Sequence, residues 1–154
     1  MRNQTRHLLL PLLLLVAATV VGADKPHHLN LSLKKDRLAV CQLPADASVP
    51  AWASSPTAFT SISRTSEELS IVCPETVVPA GIKKEPGWRI FKVDGPLDFA
   101  LTGILTSVAD PLAKAHISIF AISTYNTDYV LVKDEKADSA VKVLKAAGHK
   151  VRID

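Results

Sequence analysis

The chain has 154 residues, 47% of them hydrophobic, which suffices for one packed unit or two very small ones on a shared core and excludes wholesale disorder. Its formal net charge is +3, but Arg2 and Arg6 stand in an N-terminal leader; without them 16 of the 18 basic residues face 15 acidic ones. A chain so close to neutral has no field for gripping a phosphate backbone, so nucleic acid is not an expected partner.

Met1–His7 carries the leader's cations, Leu8–Val21 is almost purely apolar, and Val21-Gly22-Ala23 supplies the compact residues that a signal peptidase reads. This order predicts a signal peptide over 1–23, cleaved before Asp24. The apolar run is shorter than the roughly 20 residues of a membrane-spanning helix, so no membrane association is expected after its removal. The expected location is secreted or periplasmic; a cytoplasmic protein is the alternative, if the start codon is misassigned or the leader inactive. Export would make Asn30-Leu31-Ser32 a possible glycosylation acceptor and would allow Cys41 and Cys73 to form a disulfide. Two free, buried thiols are the slightly preferred reading. His27-His28, beside Pro26, lacks further clustered ligands, and a solvated terminus is expected there rather than a metal site.

Leu29–Leu33 and Arg37–Leu43 read as extended segments around the turn Lys34-Lys35-Asp36. Pro44–Pro56 is a loop with at most one helical turn near Trp52. Phe59–Arg64 and Leu69–Cys73 are strands, Pro74–Pro86 is loop-like, and Trp88–Val93 alternates as a strand. Asp94-Gly95-Pro96 then opens a helix whose stripe is Leu97, Leu101, Ile104, Leu105, Val108 and Leu112, with Pro111 in its last turn. Ile117–Thr124 and Tyr129–Lys133 are strands around Tyr125-Asn126-Thr127-Asp128. Asp134 is placed to cap a second helix that buries Ala137, Ala140, Val141 and Leu144 and ends at Gly148, before a last strand over His149–Ile153. From Trp88 onward the order is β-α-β-β-α-β, the ferredoxin-like split βαβ arrangement of an antiparallel sheet with two helices on one face.

An internal repeat is also legible. Superimposed without a gap, Thr60–Glu75 lies over Phe120–Glu135, so that Ile62 meets Ile122, Val72 meets Val132, and Glu68 meets Asp128, one carboxylate over another.

Arg64–Glu75, Val93–Gly103 and Ile117–Val132 carry a resemblance to the small tandem ACT-domain proteins, a family related to the CASTOR arginine sensors. The likeness covers about Leu29 to Val151. It implies an α+β fold of two ferredoxin-like (ACT) βαββαβ modules side by side, the first with shortened helices. The leader would then be followed by an abbreviated module over 24–86 and a complete one over 87–154. It also implies an amino-acid-binding, regulatory ancestry without catalysis. In CASTOR-type sensors the ligand sits between modules. The resemblance carries that site onto the start of a helix, Thr102, Gly103 and Ile104, with the preceding loop at Asp94 and Gly95, and onto the strand end and hairpin at Ser123, Thr124, Tyr125 and Asp128. CASTOR proteins carry four modules where this chain has two, and they are cytoplasmic.

No catalytic set is found: there is no Gly-x-Ser-x-Gly elbow, P-loop or dinucleotide fingerprint, and no cofactor is implied. His116 and His149 flank strands and read as structural or surface residues. Asp128 has two open roles, stabilising a turn or holding a ligand ammonium or guanidinium. Gly103 reads either as a close packing point within the helix or as a place where a ligand approaches the backbone. The functional expectation is a non-catalytic small-molecule binding protein, with an amino acid as ligand. A protein-interaction or dimerisation module without a ligand is the alternative. A homodimer is expected, because Ile117–Ser123 is apolar on both faces and two chains would supply four modules.

Overall fold

A computed structural model describes residues 27–154, so the reading of a signal peptide lies outside the described residues. The chain lays down β1 (Asn30–Leu33), β2 (Leu38–Leu43), β3 (Ser61–Arg64), β4 (Leu69–Pro74), β5 (Lys83–Val93), α1 (Ile104–Lys114), β6 (Ile119–Ser123), β7 (Asp128–Lys133), α2 (Ala137–Ala146) and β8 (Lys150–Ile153). It is an α+β protein. Single 3-10 turns stand at Ala51–Ala53, Glu75–Val77 and Asp134–Lys136.

The strand β5 organises the sheet. Along one edge it pairs with β2 through Lys83–Trp88 and then with β1 through Phe91–Val93; along the other it pairs with β7 through Trp88–Lys92. The strands therefore run β3-β4-β2-β5, with β7 and β6 beyond the other edge of β5 and β1 and β8 beside its C-terminal half. The extension of β5 back to Lys83 corrects the loop expected up to Pro86. Pairing with β2 holds that stretch extended, and the N–H that Pro86 lacks falls where the register with β2 shifts. A second departure from the simple split βαβ pattern lies at β8, which does not pair with β5. The chain's first strand, β1, is inserted between them, antiparallel to β5 and parallel to β8.

Alternation sends side chains to three apolar clusters. Phe91, Val93, Leu31, Leu33, Val130 and Val132 face the stripes of α1 and α2. On the corresponding face of the first half, Ala39, Cys41, Leu69, Ile71 and Cys73 pack beneath Ala47, Trp52, Ala53 and Val78, where loop and 3-10 turn stand in place of helices. The opposite face of both halves shares one cluster, Leu38, Val72, Ile90 and Leu131, with Trp88, Phe120, Ile122 and Tyr129 against it. The sheet thus curls about β5 and packs on itself; the rings of Phe59 and Tyr129 meet across the halves at 4.8 Å and those of Trp88 and Phe120 at 6.2 Å. This accounts for the two apolar faces of β6. The chain's own first half packs against its outer face at Phe120 and Ile122, which stay half-buried.

The helix expected to open after Pro96 begins only at Ile104, with Gly103 before it at φ 76°. Residues 97–103 form a loop instead. Leu97 N–H donates to the Asn126 carbonyl at 2.8 Å, and Asp98 Oδ1 accepts the Ala100 N–H at 2.9 Å, a local turn that competes with helix. Gly103 therefore lies at the helix entrance and not inside it. Pro111 has a specific consequence. Lacking an N–H, it leaves the Ser107 carbonyl without its helical donor, and His149 Nε2 bonds that carbonyl at 2.9 Å while its Nδ1 accepts the Leu29 N–H at 3.2 Å. His149 is buried and joins α1, β1 and β8. His116 terminates α1 with φ 56°. Asp134 does not cap α2: its carboxylate pairs with Arg89 at 3.2 Å and Arg37 at 3.6 Å.

The two hairpins correspond, but not in the register of the ungapped repeat. Thr65 N–H closes its turn on the Glu68 carbonyl, as Thr124 N–H does on Thr127, both at 2.9 Å. Arg64 pairs with Leu69 as Ser123 pairs with Asp128. The structural counterpart of Asp128 is therefore Leu69, and Glu68 corresponds to Thr127. A slip of one residue exchanges the faces of a strand, and the requirement that Ile71 and Cys73 lie inward, as Val130 and Val132 do, sets the register.

Candidate functional site

The tip of the β6–β7 hairpin is stitched to the segment that follows β5. Thr127 Oγ1 donates to the Val93 carbonyl at 2.6 Å, Leu97 N–H reaches Asn126, and Thr124 Oγ1 donates to the Thr127 carbonyl at 2.9 Å. Gly95 lies beneath this tip, where a Cβ would stand 2.8 Å from the Asn126 carbonyl oxygen. Between the tip and the 97–104 loop is a cavity of about 210 Å³.

Its walls bring together Ile104, Ser123, Thr124, Tyr125 and Asp128 from the sequence expectation, and add Asp98, Phe99, Leu101 and Asn126, which that reading did not name. Of these, Asp98, Phe99 and Leu101 were assigned to helix, where an Asp two residues before Ala100 was the available signal for a turn, and Asn126 lies on the expected hairpin tip. Asp94 and Gly95 do not line the cavity. Asp94 Oδ1 accepts the Ser32 hydroxyl at 2.9 Å, and Gly95 serves the close approach just described. Thr102 and Gly103 do not line it either, although their chain neighbours Leu101 and Ile104 do; the Thr102 carbonyl lies 2.9 Å from His27 Nε2. His28 is exposed, as a solvated terminus requires, with its ring near Gly148.

Asp128 is half-buried, and the Ser123 hydroxyl donates to its Oδ1 at 2.6 Å, leaving Oδ2 free of that bond. Asp98 supplies a second carboxylate in the same walls. Opposite them α1 begins without a side-chain cap, and its first helical bond runs from Ser107 N–H to the Gly103 carbonyl. The amides of Ile104, Leu105 and Thr106 have no intrahelical acceptor, so a positive dipole end opens beside Ile104. Phe99 and Tyr125 stand at the mouth in an edge-to-face pair with centroids 5.1 Å apart, 75% and 81% exposed.

The remaining candidates lie elsewhere. Cys41 and Cys73 sit on the adjacent strands β2 and β4 as buried free thiols, not as a disulfide. Burial, with Cys41 beside it, pushes the Cys73 thiol up to about 11. Asn30 is exposed, but Ser32 of its triplet is buried and accepts Arg152 Nη2 at 2.8 Å. Among the described residues no helix is long and apolar enough to cross a membrane, and no group of His, Cys, Asp and Glu is clustered for a metal.

The ACT-domain family model matches residues 83–146, and a model of a different N-terminal domain matches residues 36–81. The human cytosolic arginine sensor for mTORC1 subunit 1 is 42% identical over 59 residues, and its mouse counterpart 37%. That stretch is 38% of this chain and only 18% of the length of those relatives. A solved protein of Agrobacterium tumefaciens is 36% identical with a TM-score of 0.78, covering 83% of this chain and 95% of that one. The aspartate kinase of Clostridium acetobutylicum shares the fold at 13% identity and a TM-score of 0.58, over 82% of this chain and 36% of the enzyme.

Proposed function

This chain is an ACT-domain protein related to the cytosolic arginine sensors, and from that premise we propose that it is a non-catalytic regulatory protein that binds a free amino acid between the β6–β7 tip and the 97–104 loop. The carrying observation is the convergence of Asp98, Asp128 and the uncapped start of α1 on one cavity of about 210 Å³. A zwitterion suits that arrangement: its ammonium meets carboxylate, and its carboxylate meets free amides at a positive helix end. The anion-binding end is the helix start at Ile104, not the loop at Asp94 and Gly95 that the resemblance included in the site. The cavity falls below the about 300–1,000 Å³ of drug-sized sites, in keeping with a small ligand. We also read the chain as two ferredoxin-like modules that meet within β5, the first ending at Pro86.

Calorimetry against the twenty amino acids tests the proposal. Asp128→Ala should weaken the bound amino acid about a hundredfold while leaving the melting temperature nearly unchanged. No heat at millimolar amino acid, or an unchanged affinity in the variant, would sink it. A second reading, an interaction module, is favoured by the exposed Phe99–Tyr125 pair, which a second copy of the chain would cover. Light scattering decides it: a dimer broken by Tyr125→Ser supports that reading, and a monomer at all concentrations removes it. Export is part of the proposal too, and mass spectrometry of the protein from its native host should find Asp24 at the N-terminus.

A further inference from the structure

A second cavity, of about 580 Å³, shares no wall residue with the first. It lies on the face of the sheet away from the helices, between the β1–β2 turn, the segment Pro56–Phe59, and the middle of β5 and β7. Its size falls within the range of sites for small organic molecules.

Three lysines line it, Lys34, Lys35 and Lys92, against the carboxylates of Asp36 and Asp154. Asp36 is exposed and offsets one of the lysines, so a positive excess remains once Asp154 is accounted for. Asp154 is held by Lys34 and, at 2.8 Å, by Arg152 Nε, and the Lys34 hydrogen bond keeps its carboxyl below the usual carboxylate range. Lys35 and Lys92 form no ion pair among the described residues. Lys92 sits on the central strand between Ser32 and Tyr129, half-buried, with the buried Phe91 and Val93 on either side in the chain. No carboxylate among the described residues pairs with this half-buried cation, so it is available to an anion. The turn that carries Lys34 and Lys35 is held rigid: the Lys34 carbonyl accepts both Arg89 Nε at 3.0 Å and Arg89 Nη2 at 2.9 Å, and Arg89 is fixed in turn by Asp134. The backbone of this turn needs no ordering when a ligand arrives, so only the lysine side chains lose freedom.

The rest of the wall is apolar. Phe59 and Tyr129 present tilted rings 4.8 Å apart, with Leu38, Ile90 and Pro56 around them. Charge at one end and ring faces at the other define an amphipathic anion. We propose that this cleft binds a small aromatic carboxylate, with the carboxylate on Lys92 and Lys35 and the ring against Phe59 and Tyr129. It is independent of the amino-acid reading of the hairpin-tip cavity.

The test is a titration of benzoate into the mature protein, followed by amide chemical shifts and calorimetry, with benzamide as the uncharged probe of the same shape. Benzoate should move the amides of Lys35, Phe59 and Lys92 and leave those of Phe99 and Tyr125 in place, and benzamide should bind at least tenfold more weakly. Lys92→Gln should weaken benzoate about tenfold or more, and Phe59→Leu severalfold, while amino-acid affinity at the hairpin tip stays as in the wild type. Equal binding of benzamide and benzoate, an unchanged benzoate affinity in Lys92→Gln, or shifts confined to the hairpin tip would each overturn the assignment. Saturable benzoate binding that Lys92→Gln removes, in a variant with wild-type shifts elsewhere, would establish it.

Discussion

In the β3–β4 hairpin the Thr65 N–H closes the turn on Glu68; in the β6–β7 hairpin the Thr124 N–H closes it on Thr127. What each tip faces is different. Asp128 opens to a cavity whose far wall is the loop before α1. Its register counterpart, Leu69, is fully buried beneath the 3-10 turn at Trp52 and the segment around Ala47. The β2–β3 connection, interrupted by Pro44, Pro50 and Pro56, forms no α-helix and so has no helix-entry loop to arch over its hairpin. The cavity needs both the hairpin and the loop that precedes a helix; where the helix is lost, the site is lost and the freed surface is filled with core.

The sharpest way to break this comparison is to give the first hairpin the carboxylate of the second. Leu69 is 0% exposed, so Leu69→Asp buries an unpaired charge and should cost at least about 4 kcal/mol in urea unfolding. Native stability in that variant would mean that the two tips are equivalent after all. Next in size is Gly95→Ala. Its Cβ would meet the Asn126 carbonyl oxygen at 2.8 Å, and because the obstacle is backbone the tip must move. We expect a loss of about 2 kcal/mol, with amino-acid affinity falling alongside it, whereas Gly81→Ala has open space around it and should cost only about 1 kcal/mol for its φ of +83°. An unaffected hairpin tip in Gly95→Ala, by amide exchange, would remove the close approach as its explanation.

A smaller effect separates the two halves by pH. Cys73 occupies the place that Val132 holds in the second hairpin, and burial raises its thiol from 9.0 to about 11. The folded state keeps the thiol neutral while the unfolded chain ionises. The thiol's share of stability is thus complete below about pH 9 and is lost as pH rises through about 11. Unfolding of Cys73→Val should show a flatter profile across that window; identical profiles would place the alkaline loss elsewhere. Smallest of all is Glu68→Ala. The Glu68 carboxylate accepts only from the exposed Gln42 amide among the described residues, and its removal should stay within about 0.5 kcal/mol and leave ligand binding alone.

Much of the fold was legible because apolar residues alternate at period two in the strands and recur at three and four in both helices. The residues before Ile104 were misread because Leu97 and Leu101 continue the helical spacing. The Asp98 turn, the bond from Leu97 to Asn126 and the φ of Gly103 outweigh that spacing, and two of those three depend on distant chain or backbone geometry. The candidate site was half legible for the same reason. Ser123 through Asp128 stand on a hairpin whose turn is local, whereas Asp98, Phe99 and Leu101 reach the cavity only because the loop does not become helix.

By itself, the sequence determined which segments are strands and helices, apart from the starts of β5 and α1, that the first half lacks long helices, and that Asp128 sits at a hairpin end, since each follows from local pattern and from the backbone limits of Pro and Gly. Only the tertiary structure decided that β1 inserts between β5 and β8, that Leu69 and not Glu68 corresponds to Asp128, and that the first half of the chain packs against Phe120 and Ile122 of β6. A strand with two apolar faces does not specify what covers each, and a one-residue slip is nearly invisible to pattern while it exchanges every side chain between core and solvent. Those choices are made when the sheet curls about β5 and its apolar surface is removed from water.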